Sequence, residues 1–223
     1  MTKSSALRFG IAAAVLAVAL ALAWWGYKSY KKSQLQRDVI ALVQDSTSRL
    51  QEALGLMTAG IEVRGRLEAS FAALQVSVEK LQAMDASLNP PLVRAADAYI
   101  TDVHALLRRQ LATHGGRDPV RADLTEIAEH MRSAAGRSEE WIRQALALKQ
   151  RLEKNYFDYR FAAGGLEKSL LALHDTRKGL EPFIPPTLLI YASLISSAEK
   201  QLLEMSEQLK QQVENARKLP GRS

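Results

Sequence analysis

The chain has 223 residues, no cysteine, and 30 basic against 24 acidic side chains, a formal charge of +6. The lack of cysteine excludes a disulfide framework, a thiolate nucleophile and a cysteine metal site. The charge is concentrated at one end: Lys3, Arg8, Lys28, Lys31, Lys32 and Arg37 are the only charged residues before Asp38, and the other 24 basic residues match the 24 acidic ones. A neutral body offers no basic face to phosphates, so nucleic-acid binding is not expected.

After a basic tail, residues 1–8, the chain reads FGIAAAVLAVALALAWW from Phe9 to Trp25 without a charge. With Gly26 and Tyr27 this segment, 9–27, makes a helix of about 29 Å at 1.5 Å per residue, enough for a hydrocarbon core of about 30 Å. Trp24, Trp25, Tyr27 and Tyr30 then form an aromatic collar, with Lys28, Lys31 and Lys32 placed to snorkel into lipid headgroups. The expectation is a transmembrane signal-anchor in contact with membrane lipid, followed by a basic juxtamembrane segment, 28–37. A cleaved signal peptide is the rival reading, because Ala19-Leu20-Ala21 and Ala21-Leu22-Ala23 offer small residues at cleavage spacing. Two tryptophans and a lysine cluster after those sites suit an interface better than a free mature terminus. A core helix lacks a matching apolar partner. Flanking basic residues are nearly balanced across the segment, and the layout of basic tail, apolar run and long body leads us to expect the bulk outside the cytoplasm of a bacterial-type envelope, the segment lying in the inner membrane.

No proline interrupts the chain between the anchor and Leu88, so anchor and first helix are expected to form one stalk. Apolar positions step by three and four through Val43, Leu50, Leu54 and Met57 and resume at Leu67, Leu74 and Leu81, a helical stripe. The junction through Arg64 takes two steps of three, a stammer that overwinds a coiled coil, and Gly55, Gly60 and Gly65 crowd it. A bend or break is expected at 55–66, with Arg64 as a candidate buried charge that would need an anionic partner. Asn89-Pro90-Pro91 forms the turn of a first hairpin, 38–116, whose second stripe runs from Leu92 through Tyr99 and Leu106 to Gln110 and is expected to stop at Gly115-Gly116.

Asp118-Pro119 reads as the N-cap and first position of a third helix, with Asp123 and Glu126 near its positive end. From Val120 to Leu180 a heptad register passes Trp141, Leu152, Asn155, Tyr159, Leu166 and Leu173 without a slip, crossing Gly136 and Gly164-Gly165. Pro182 to Pro186 turns the chain into a last stripe through Tyr191, Ile195, Leu202, Leu209 and Val213, completing a second hairpin, 117–219, before a frayed end, 220–223. The expected fold class is all-α: a single N-terminal transmembrane helix followed by two antiparallel helical hairpins forming an elongated four-helix coiled-coil bundle.

Chemistry-bearing patterns are absent. The four histidines, His104, His114, His130 and His174, fall in no metal-binding spacing, and Glu126 with His130 reads as a surface pair. Glu139 and Glu140 point about 100° apart on a helix and cannot share a proton across a substrate. There is no P-loop, no dinucleotide-binding glycine pattern and no nucleophile elbow. No enzyme, cofactor or metal is expected. The one local concentration of unusual residues is KNYFDYRFAAGG, 154–165. Tyr159 lies on the helical stripe, while Phe157 and Phe161, four apart, share another face. Tyr156, Phe157, Arg160 and Phe161 are therefore a candidate protein contact, unless further helices bury both faces. The expected role is a membrane-anchored scaffold or adaptor working through coiled-coil contacts with other envelope proteins or with itself. The alternative is an extracytoplasmic ligand-sensing bundle coupled to a partner signalling protein.

Overall fold

The computed structural model describes residues 3–58, 63–133 and 138–218, with side chains from Leu16 onward. Within them the chain is all-helical, with no strand. Five long helices follow one another: α1 Lys3–Gly55, α2 Arg64–Gln82, α3 Pro90–Arg132, α4 Glu139–Leu180 and α5 Ala192–Lys218, with single 3-10 turns at Ala86–Leu88 and Pro186–Leu188.

The helices run alternately up and down. Helix α2 returns along α1, as Arg66 reaching Glu52 at 2.6 Å and Ser77 reaching Asp45 at 3.4 Å require. Helix α3 is parallel to α1, with Tyr99 bonded to Thr47 at 3.0 Å and Gln110 to the Ala53 carbonyl at 2.7 Å. Helix α4 descends along α3, and this is the most extensive packing in the molecule. Arg109 meets the Gly165 carbonyl at 2.7 Å and, further along, Arg151 meets Asp123 at 2.6 Å. Helix α5 runs back up α4, from His174 with Glu199 at 3.4 Å to Arg217 with Glu153 at 2.5 Å.

The three-and-four stripes become the core. Val43, Leu50, Leu74, Leu106, Leu166, Leu173 and Val213 are all fully buried. Each such side chain withdrawn from water contributes on the order of 1.5–3 kcal/mol.

The break expected at 55–66 is present as a complete reversal between α1 and α2, so five helices replace the expected four. Two further expectations are corrected. Arg64, at the start of α2, is exposed and bonds Glu68 at 2.8 Å, because the reversal turns it outward. Gly115-Gly116 does not end a helix: α3 passes through both glycines and through Pro119. The amide that proline lacks would have bonded the carbonyl of Gly115, and Gly115 is exposed, so water can satisfy that carbonyl. Asp118 is accordingly mid-helix rather than a cap.

The chain turns instead between Arg132 and Ser138; Gly136 lies outside the described residues. Ser138 caps α4 by accepting the Trp141 amide at 3.2 Å, and Glu139 and Glu140 stand at the positive end of the helix dipole. Two reciprocal bonds close this end: His130 Nε2 donates to the Trp141 carbonyl at 3.0 Å and Trp141 Nε1 to the His130 carbonyl at 3.3 Å, the rings stacked 4.7 Å apart.

Candidate functional site

Helix α1 leaves the bundle at Leu35. Below it every described side chain, from Leu16 to Gln34, is exposed. Trp24, Trp25, Tyr27 and Tyr30 stand more than 60 % accessible, with the Lys28 ammonium 5.2 Å from the Trp24 ring and the Lys31 ammonium 5.8 Å from that of Tyr27. Lys32 is exposed beside them. The side chains of Phe9 to Val15 lie outside the described residues, and among the described ones no helix is long and apolar enough to cross a membrane.

The aromatic cluster of α4 divides between two surfaces. Tyr156 is buried toward α5, where its ring stacks 6.5 Å from that of Tyr159 and the Arg217 guanidinium lies 5.9 Å above it. Arg160 and Tyr156 line a surface groove of about 400 Å³ between α4 and α5. Phe157 and Phe161 face the other way, 69 % and 81 % exposed, and no further helix among the described residues covers them. The four residues thus do not form one patch: the pair of phenylalanines lies on the outer face, apart from Tyr156 and Arg160.

A buried polar layer, which the sequence reading did not single out, sits where α1 ends. The last carbonyls of a helix lack partners within it. Gln110 supplies one for Ala53, and two turns further along α3 stands Arg117, 1 % exposed. Its guanidinium donates to His114 Nδ1 at 3.2 Å and lies 3.0 Å from the sulfur of Met205 on α5. Arg117 lines, with Met57, Thr113, His114, Leu166 and Met205, a narrow gap that admits no water molecule. A cation here faces the negative end of the α1 dipole. Burial, followed by the neighbouring Arg117 charge, holds the His114 pKa below its ordinary value, so the ring is neutral near pH 7.

A second polar cluster joins α3 to α4. Asp123, buried, accepts from Arg151 Nε at 2.6 Å and from Asn155 Nδ2 at 2.7 Å, and Arg151 also bonds Glu126. Glu126 therefore pairs across helices rather than with His130. Beyond this cluster an open groove of about 560 Å³ runs between the ends of α3 and α4, lined by Glu129, His130, Gln144 and Leu148 among others. Among the described residues no group of three or more His, Asp or Glu side chains is placed to hold a metal.

The chain matches no protein-family model, no curated protein and no solved structure.

Proposed function

We propose that this protein is a membrane-anchored helical scaffold or adaptor of a bacterial-type envelope, held through residues 9–27, with its bundle on the extracytoplasmic side and its work done by protein contacts rather than catalysis. The observation that carries the reading is the free start of α1. Its apolar side chains Leu16, Val18, Leu20, Leu22, Trp24 and Trp25 project around the helix into the surroundings, and a helix that is apolar on all sides calls for an apolar environment on all sides. Continuous with them in sequence is the uncharged stretch back to Phe9. The collar of Trp24, Trp25, Tyr27 and Tyr30, held against Lys28 and Lys31, supplies the interface, and the bundle begins at Leu35, about 7 Å of helix beyond Tyr30.

A scaffold needs a rigid body and an uncovered contact surface. Alternating helices on a continuous core provide the first, and Phe157 and Phe161 the second. The ligand-sensing alternative has less support, because the two roomy grooves, of about 560 and 400 Å³, are open at the surface and the gap beside Arg117 in the bundle core admits no water molecule.

Fractionation tests the proposal. The full chain should stay with membranes through an alkaline carbonate wash and leave them only in detergent. Release by carbonate alone would contradict it.

A further inference from the structure

The outer face of α4 carries more than the two phenylalanines. Ile142, Leu146, Phe157, Phe161 and Leu171 are all exposed, and at about 100° per residue they fall within one arc of about 100° along about 44 Å of helix. Four of the charged residues on the same arc, Glu139, Arg143, Asp175 and Lys178, are arranged symmetrically about the level of residue 159; Glu153, Arg160 and Lys168 also lie on it without such a counterpart, Glu153 being held by Arg217 at 2.5 Å. Arg143 lies as far before that level as Asp175 lies after it, and Phe157 stands to Phe161 in the same way. Leu146 with Leu171, and Glu139 with Lys178, match to within one position.

We propose that α4 pairs antiparallel, through this face, with α4 of a second copy of the chain, centred at the level of residue 159. That register sets apolar side chains against apolar ones and opposite charges against each other at both ends of the contact. A parallel, in-register pair would stack Arg143 on Arg143 and Asp175 on Asp175, which is unfavourable. Arg143 is available for the contact: within its own chain it reaches Glu139 and Glu140 only at 3.4 and 3.6 Å, in well-solvated pairs that hold it weakly. A strip from Glu139 to Lys178, about 58 Å long and about 10 Å wide, would bury about 1,200 Å² over both copies, above the roughly 1,000 Å² expected of a specific interface. The inference does not depend on the membrane anchor. Where both hold, the two α1 stalks leave the pair in opposite directions, so a pair joins two surfaces instead of standing on one.

The chain has no cysteine, so single thiols report cleanly. Full-length Leu146→Cys and Leu171→Cys proteins, with Leu203→Cys on α5 as the exposed control, would be purified in detergent, mixed and oxidised. The proposal expects a mixed disulfide, joining one Leu146→Cys chain to one Leu171→Cys chain, in about tenfold excess over either homodimer and over any product of the control. Homodimers of each variant alone, which a parallel pair would give, or no product above the control, would overturn it. Sedimentation gives the second measurement. Arg143→Glu should weaken the dimer about tenfold and the added Asp175→Arg should restore it. A native chain that is monomeric at about 100 µM would refute the pairing.

Discussion

Gly116 of α3 lies so close to α4 that a Cβ at this position would stand 3.2 Å from the Cα of Tyr159. The neighbour is backbone and cannot swing aside, so the glycine sets the separation of the two longest-packed helices at mid-height. Gly115, one position away, has nothing within 4 Å. Replacing Gly115 by Ala should stabilise α3 by up to about 1 kcal/mol through helix propensity alone. Gly116→Ala should lose that gain to the clash and come out destabilising. Chemical denaturation of the two variants checks the pair, and equal stabilisation by both would show that the helices can move apart.

The same two glycines mark the limit of what the sequence makes legible. Seam residues are readable: Leu152, Tyr159, Leu166, Leu173 and Leu180 of α4 and Ile195, Leu202, Leu209 and Val213 of α5 are buried as the heptad spacing requires. Breaks are readable at 55–66, at Asn89-Pro90-Pro91 and at Pro182 to Pro186, but not the one between α3 and α4. A Gly-Gly followed by Asp-Pro has the composition of a helix boundary, yet its glycine serves close packing and its proline stands where the orphaned carbonyl is wet. Tyr191, placed on the α5 stripe, is exposed just before that helix begins. The misplaced boundary also conceals the polar layer. Continued through Gly115-Gly116, the stripe Tyr99, Val103, Leu106 and Gln110 reaches Thr113, Arg117 and Val120 in the same three-and-four rhythm, all buried. Arg117 is thus the buried cation, in place of Arg64, and its position becomes readable only once the helix is known to continue.

Asp123 and Arg151 should respond unequally to truncation. Arg151→Ala strands a buried carboxylate with only Asn155 to bond it, whereas Glu126→Ala removes a solvated partner and leaves Asp123 satisfied. Thermal melts should show the Arg151 variant well below the Glu126 variant. Equal midpoints would mean that water replaces the lost guanidinium.

Acid should weaken the fold before the carboxylates titrate. Burial lowers the pKa of both His104 and His114, with the nearby Arg108 and Arg117 charges adding to it. The unfolded chain therefore takes up protons near pH 6.5 that the folded chain does not, and this contribution to stability is complete above about that pH and lost as the pH falls below it. Glu153, held below its ordinary value by Arg217, contributes in a lower window, from about pH 4.5 downward. Denaturation between about pH 7 and about pH 5 should give a falling stability whose slope flattens in His104→Gln and His114→Gln, whatever their absolute midpoints. A slope unchanged in both would contradict the assignment.

Phe157 and Phe161, the proposed contact surface, should contribute little to the fold. Exposed as they are, Phe157→Ser and Phe161→Ser should each shift stability by no more than about 0.5 kcal/mol. The doubly substituted protein should remain folded by circular dichroism while losing the partners, copies of itself included, that the native chain retains in a pull-down. A substantial drop in stability would place these rings in a covered surface instead.

An anchor in residues 9–27 that carries the helical bundle on the extracytoplasmic side is the proposition on which the scaffold role rests. Full-length chains fused at the C-terminus to alkaline phosphatase or to a cytoplasm-dependent fluorescent protein measure it directly. An active phosphatase fusion in the membrane fraction and a dark fluorescent one are expected. A bright fluorescent fusion with an inactive phosphatase would overturn that placement.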